Sequence, residues 1–147
     1  MLGGQVSEAL LIDGGPGVAS VQIGGGAPLV IIAGPCVLET LALAEQTARG
    51  LVDACAGAGL PLIFKASFDK ANRTSADAER GPGMAEGLAM LRALRAAHGV
   101  PMTTDVHTAE QAGAVAEVVD LLQVPAFLCR QTDLLQACGR TGRPVNI

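Results

Sequence analysis

Lys65 and Lys70 are the only lysines in the sequence, and both lie in one polar stretch, Phe64 to Ser75, that reads FKASFDKANRTS. Arg73 follows the second lysine, and Ser67, Asp69, Asn72, Thr74 and Ser75 fill the gaps with short hydrogen-bonding groups. An apolar run, LPLIF, leads into it. Ammonium groups offset phosphate charge at a point, and a guanidinium can fork two donors onto phosphate oxygens. Three cations and several small donors at the end of a buried strand therefore suit a phosphorylated substrate. A loop of this composition can also be a solvated turn, but the rest of the chain is rich in Ala, Gly, Leu and Val.

Further candidates stand at the ends of other apolar runs. Asp105, in TTDVH, could accept from substrate hydroxyls, cap a helix or close a strand-end ion pair. His107 has no second His at metal spacing and reads as a structural or supporting group. Cys36 follows Gly34-Pro35; by residue type it is a small buried hydrophobe before it is a metal ligand. Gln123, Arg130, Gln131 and Asp133 form a second polar group in QVPAFLCRQTD. Arg130, on a loop, could reach the same site or that of a neighbouring subunit. Cys55 and Cys138 fall on apolar helix faces, Cys129 is open to either reading, and Arg80 and Arg92 read as solvated.

The elements that position these groups follow from hydrophobic pattern. Val6 to Ile12 and Val18 to Ile23, separated by Asp13-Gly14-Gly15-Pro16-Gly17, predict a β-hairpin, and Gly24 to Pro28 a hinge. Leu29 to Ala33 is continuously apolar, as in a strand buried on both faces of a parallel sheet. Apolar residues at three- and four-residue steps predict a helix over 40–58, stopped by Gly57 and Gly59. The unit then repeats: strands over 62–66, 101–105, 121–125 and 144–147 alternate with helices over 83–97, 109–119 and 132–138. This is α/β architecture. Chemistry-bearing residues at the C-terminal ends of successive strands (Cys36, Lys65, Asp105, Gln123) mark the active face of a (β/α) barrel, and the GxGxxG turn of a dinucleotide-binding sheet is absent. The expected division is an N-terminal hairpin and hinge over 1–28 and a partial (β/α)8 barrel, about the first five βα units, over 29–147.

Composition bounds the function. The chain has 147 residues, 50% of them hydrophobic, and a formal net charge of −4, which disfavours nucleic acid and anionic membranes as partners. Aromatic residues are 2% of the chain, too few for a base-stacking platform. No secretory signal pattern and no uninterrupted membrane-length apolar run is visible. A cytoplasmic chain with its cysteines as thiols is expected, acting on small molecules.

Together AGPCVLET, FKASFDKANRTS, TTDVH and QVPAFLCRQTDLL resemble 3-deoxy-D-manno-octulosonate 8-phosphate synthases, densely from Val30 to Ile147. The resemblance implies a homotetrameric (β/α)8 barrel, aldolase-like, that condenses phosphoenolpyruvate with D-arabinose 5-phosphate on the route to lipopolysaccharide. It implies that Lys65, Ser67 and Gln123 contact phosphoenolpyruvate and that Lys70 lies between the two substrates. It further implies that Asn72 and Asp105 hold pentose hydroxyls and that Arg73 and Thr74 grip the sugar phosphate. Arg130 would reach a neighbouring subunit's sugar phosphate site. Members divide into metal-dependent forms with Cys at the position of Cys36 and metal-independent forms with Asn, so Cys36 implies a divalent metal ion.

Two alternatives accompany this reading. The sister synthase that makes 3-deoxy-D-arabino-heptulosonate 7-phosphate from erythrose 4-phosphate typically has Pro where this chain has Asn72. The chain could also be a non-catalytic half-barrel. The resemblance further implies a second phosphoenolpyruvate lysine and a His, Glu and Asp metal set beyond Ile147, so the expectation is that this polypeptide does not turn over alone. Open strand edges predict self-association.

Overall fold

The computed structural model describes residues 8–70 and 81–147; Asn72, Arg73, Thr74, Ser75 and Arg80 lie outside the described residues. The chain opens with β1 (Leu10–Ile12) and β2 (Val21–Ile23), antiparallel with Leu10 opposite Ile23 and Ile12 opposite Val21. Then follow β3 (Ile31–Ala33), α1 (Leu41–Ala58), β4 (Leu62–Lys65), α2 (Met84–His98) and β5 (Met102–Asp105). The remainder is α3 (Gln111–Ala116), β6 (Leu121–Gln123), a 3-10 turn (Ala126–Leu128), α4 (Thr132–Arg140) and β7 (Val145–Asn146). Strands β3 to β7 form one sheet in chain order with every neighbouring pair parallel. The sheet is curled, a parallel half-barrel of α/β class.

Local chemistry sets the helix limits. The Thr40 hydroxyl accepts from Leu43 N–H at 3.2 Å and caps α1, satisfying one of the donors a helix start leaves open. Gly59 closes α1 at φ 67°, where a side chain would be strained, and its N–H returns to Ala56 and Cys55 carbonyls. α3 is shorter than the 109–119 pattern predicts: Val118 and Val119 both donate to Val115 O. That tightening turns the apolar Val118 and Val119 into the core instead of extending the helix. β2 begins at Val21 and not Val18, because Val18 N–H is used in a turn to Gly15 O and Ala19 N–H donates to Gly99 O.

Strand alternation separates two cores. Phe64, Met102 and Leu122 face the helices, packing with Ala44, Leu91, Leu94, Val115 and Leu134. On the inner face Ile63 and Leu121 are covered by Ile12 and Val21 of the hairpin, all four buried. Each such side chain contributes roughly 1.5–3 kcal/mol by leaving water, so the hairpin is held by its apolar face. It sits at the N-terminal end of the strands, where Ala19 meets the α2–β5 connection.

One ion pair fastens that end. Arg95 on α2 lays its Nε and Nη2 on Asp120 Oδ2 and Oδ1 at 3.0 and 2.9 Å. Asp120, 1% exposed, also accepts from Met102 N–H at 3.0 Å, and Arg95 donates to the Gly14 carbonyl of the hairpin turn. The hydrogen bonds that Arg95 donates to Asp120 hold its pKa above its already high ordinary value. Sequence pattern alone did not single out either residue. No helix among the described residues is long and apolar enough to cross a membrane.

Candidate active site

The C-terminal ends of the parallel strands, opposite the hairpin, gather the polar side chains. Register makes the gathering predictable from the backbone: Lys65 pairs with Thr103, Asp105 with Gln123, and Gln123 with Asn146. Residues directly across a parallel pair share a face, and residues two apart on one strand do too, so Lys65, Asp105, Gln123 and Asn146 all lie on the inner face. Gly34, after β3, approaches the end of β4 so closely that an added Cβ would stand 1.9 Å from the Lys65 carbonyl oxygen. Only glycine lets these backbones meet there.

Ser67 is the hub. It continues from β4 by a bridge to Val37, and its carbonyl accepts from Leu38 N–H at 2.9 Å. Its hydroxyl, fully buried, donates to Asp105 Oδ2 at 2.7 Å and accepts from Lys65 Nζ at 3.3 Å and Lys70 Nζ at 3.2 Å. One proton and two lone pairs are a hydroxyl's whole capacity, and all are used. Lys65 also pairs with Asp105 Oδ1 at 3.2 Å. Among the described residues, two ammoniums thus converge on the Ser67 hydroxyl oxygen beside the Asp105 carboxylate, an arrangement of cations that suits an anion.

Gln123 lies beside this cluster, its amide engaged with Asn146 and with backbone carbonyls. Asn146 is the site-face residue that sequence reasoning passed over; strand register, which places it level with Gln123 and Asp105, is the signal that finds it. The His107 ring stands edge-on to Phe68 at 6.0 Å, and its backbone N–H donates to Gln111 Oε1 at 2.8 Å. Arg130 is exposed on the turn after Phe127, with Gln131 and Asp133 exposed next to it; among the described residues no hydrogen bond joins it to the Lys65 cluster. Asn72, Arg73 and Thr74 lie outside the described residues.

Cys36 is an exposed free thiol beyond β3, while Cys55 and Cys138 are buried in the helical layer. Burial raises the Cys138 thiol pKa, so Cys138 is chemically quiet. Among the described residues no group of three His, Cys, Asp or Glu is placed to hold a metal ion. Cys36 supplies one soft donor, which alone does not meet the four-ligand requirement of a zinc-type site. The described residues therefore do not by themselves fit a divalent metal.

Comparison with known proteins adds to the geometry. The chain is 55% identical over 130 residues to the 2-dehydro-3-deoxyphosphooctonate aldolase of Citrifermentans bemidjiense, covering 88% of this chain and 48% of that protein. It is 57% identical over 130 residues to the protein of the same name from Magnetococcus marinus, with 88% and 45% covered. With that of Acidithiobacillus ferrooxidans it shares 57% over 120 residues, covering 82% and 43%. The chain spans about half the length of the curated relatives it matches. From the hairpin to the last strand, residues 6–147 match the sequence profile described as DAHP synthetase I family, and the chain belongs to that family.

Proposed function

We propose that this chain carries the phosphoenolpyruvate-binding floor of a 3-deoxy-D-manno-octulosonate 8-phosphate synthase. The observation that carries the reading is the convergence of Lys65 and Lys70 on the Ser67 hydroxyl beside Asp105. Phosphoenolpyruvate carries a carboxylate and a phosphate, and a pentose 5-phosphate brings further negative charge. Bringing them together requires cations already in place, since like charges a few ångströms apart repel strongly.

In the proposed reaction the enol carbon of phosphoenolpyruvate forms a bond to the aldehyde carbon of D-arabinose 5-phosphate, whose oxygen takes up a proton. Water adds at the phosphate-bearing carbon and gives up one proton; the carbon–oxygen bond to phosphate then breaks as the new hydroxyl becomes the keto oxygen, its remaining proton passing to the departing inorganic phosphate. Lys65 and Gln123 bind phosphoenolpyruvate directly, and Ser67, which the resemblance places with them, serves that site by holding the Lys65 and Lys70 ammoniums through its fully engaged hydroxyl. Lys70 lies between the substrates, where its charge offsets the repulsion of the two anions. Asp105 and Asn72 hold pentose hydroxyls, Arg73 and Thr74 its phosphate, and Arg130 serves a neighbouring subunit of a homotetramer. Family membership is compatible with a divalent metal, to which Cys36 would offer its thiolate.

The rival acceptor is erythrose 4-phosphate. Asn72 in KANRTS supports the pentose, as does the octonate name shared by the relatives. The test titrates each aldose phosphate into the phosphoenolpyruvate-loaded protein by calorimetry. Tighter binding of arabinose 5-phosphate is expected; preference for erythrose 4-phosphate would reassign the chain to the heptulosonate reaction.

A further inference from the structure

The carboxamide of Gln123 is held in one sense by Asn146. Asn146 Nδ2 donates to Gln123 Oε1 at 2.7 Å, and Gln123 Nε2 donates to the Val124 carbonyl at 2.9 Å and to the Asn146 carbonyl at 3.4 Å. Backbone carbonyls only accept, so the end of the amide facing them must be the NH2 group. That fixes Oε1 toward Asn146 and removes the usual ambiguity between the two ends of a glutamine amide. Of the two bonds from Nε2, the 3.4 Å contact is at the limit of N–H···O geometry, and is the one an anionic oxygen can displace.

We propose that Asn146 is a positioning residue for anion binding: by holding the Gln123 amide oxygen, it keeps an N–H of Gln123, and not the oxygen, available to phosphoenolpyruvate. A glutamine free to rotate would present its oxygen to the anion part of the time, and that orientation is repulsive. This inference rests on the proposed role of Gln123 in binding phosphoenolpyruvate. Asn146 is exposed at the end of the last strand, so its removal leaves the core untouched.

The experiment compares wild type, Asn146→Ala and Asn146→His, whose ring N–H can restore a donor. Phosphoenolpyruvate and arabinose 5-phosphate are titrated separately, and the Gln123 side-chain amide is followed by 15N NMR. The net value of one hydrogen bond sets the expected loss in N146A at roughly three- to ten-fold in phosphoenolpyruvate affinity. Arabinose 5-phosphate affinity stays unchanged, N146H recovers part of the loss, and Gln123 amide protons exchange faster in N146A. Equal phosphoenolpyruvate affinity in wild type and N146A, or equal loss for both ligands, would overturn the proposal. If wild type binds no phosphoenolpyruvate, the substrate reading fails by itself. The amide signal then decides this inference: unaltered Gln123 exchange in N146A overturns the clamp, and faster exchange upholds it.

Discussion

At Ser67 one buried hydroxyl receives two ammoniums and donates to a carboxylate, so replacing it with Ala removes three interactions through a single oxygen. Hydrogen bonds to charged groups are worth about 1.5–3 kcal/mol each before compensation. Lys65 retains Asp105 in the variant, so a net loss of about 1–3 kcal/mol in unfolding free energy is expected for Ser67→Ala by urea titration. Asp13 gives a pH-dependent counterpart. The Gly15 N–H, and after it the Ser20 hydroxyl, lower its pKa. A carboxyl depressed on folding stabilises above its unfolded value of 3.8 and loses that contribution as pH falls through the folded value. The hairpin of wild type should therefore loosen in acid more than that of Asp13→Asn, read as acid dependence of amide exchange at Ile12 and Val21. Residue types made Lys65, Lys70 and Asp105 visible in the sequence because charge interrupts apolar runs there. The role of Ser67 was not visible as a hub, because it depends on three chain segments meeting, and Asn146 has no distinctive neighbours in sequence at all.

The helices show what periodicity can and cannot supply. The span of α1 was legible, since Thr40 and Gly59 are cap residues at the limits of its apolar pattern, although Gly57, expected to share in the stop, lies inside the helix. Thr40→Ala is expected to cost about 1 kcal/mol of stability by thermal unfolding. The Arg95–Asp120 pair was not legible, because its partners lie on α2 and ahead of β6 and only packing brings them together. Its guanidinium is 25% exposed and its carboxylate 1%. Removing one member leaves the other poorly compensated, and Arg95→Met should cost about 2–4 kcal/mol. A double-mutant cycle with Asp120→Asn measures the coupling: the double variant should be less destabilised than the sum of the single changes. Strict additivity would mean that the pair does not hold α2 to the sheet.

Across the whole molecule, the sheet runs β3 to β7 in chain order, and among the described residues its two outer strands are each paired on one side. Leu29, ahead of β3, is 73% exposed and Ile32, within β3, 39%, and Ile147 is 65% exposed after β7. Apolar side chains along unpaired edges favour association with another copy. The 147-residue polypeptide should therefore be larger than a monomer by light scattering; a monodisperse monomer would contradict this. The α/β class and the strand order were legible because βα units recur along the chain. The placing of the hairpin over Ile63 and Leu121 was not, since an antiparallel pair carries no sequence mark of the sheet end it covers. That hairpin closes one end of the strands and leaves Lys65, Ser67, Lys70 and Asp105 at the other. The most direct test is calorimetric titration of phosphoenolpyruvate into wild type and Lys70→Met. Loss of one ammonium from the pair should weaken binding at least roughly ten-fold, in line with a charge-assisted contact. Equal affinity in the two proteins would show that the anion does not bind at the Ser67 cluster.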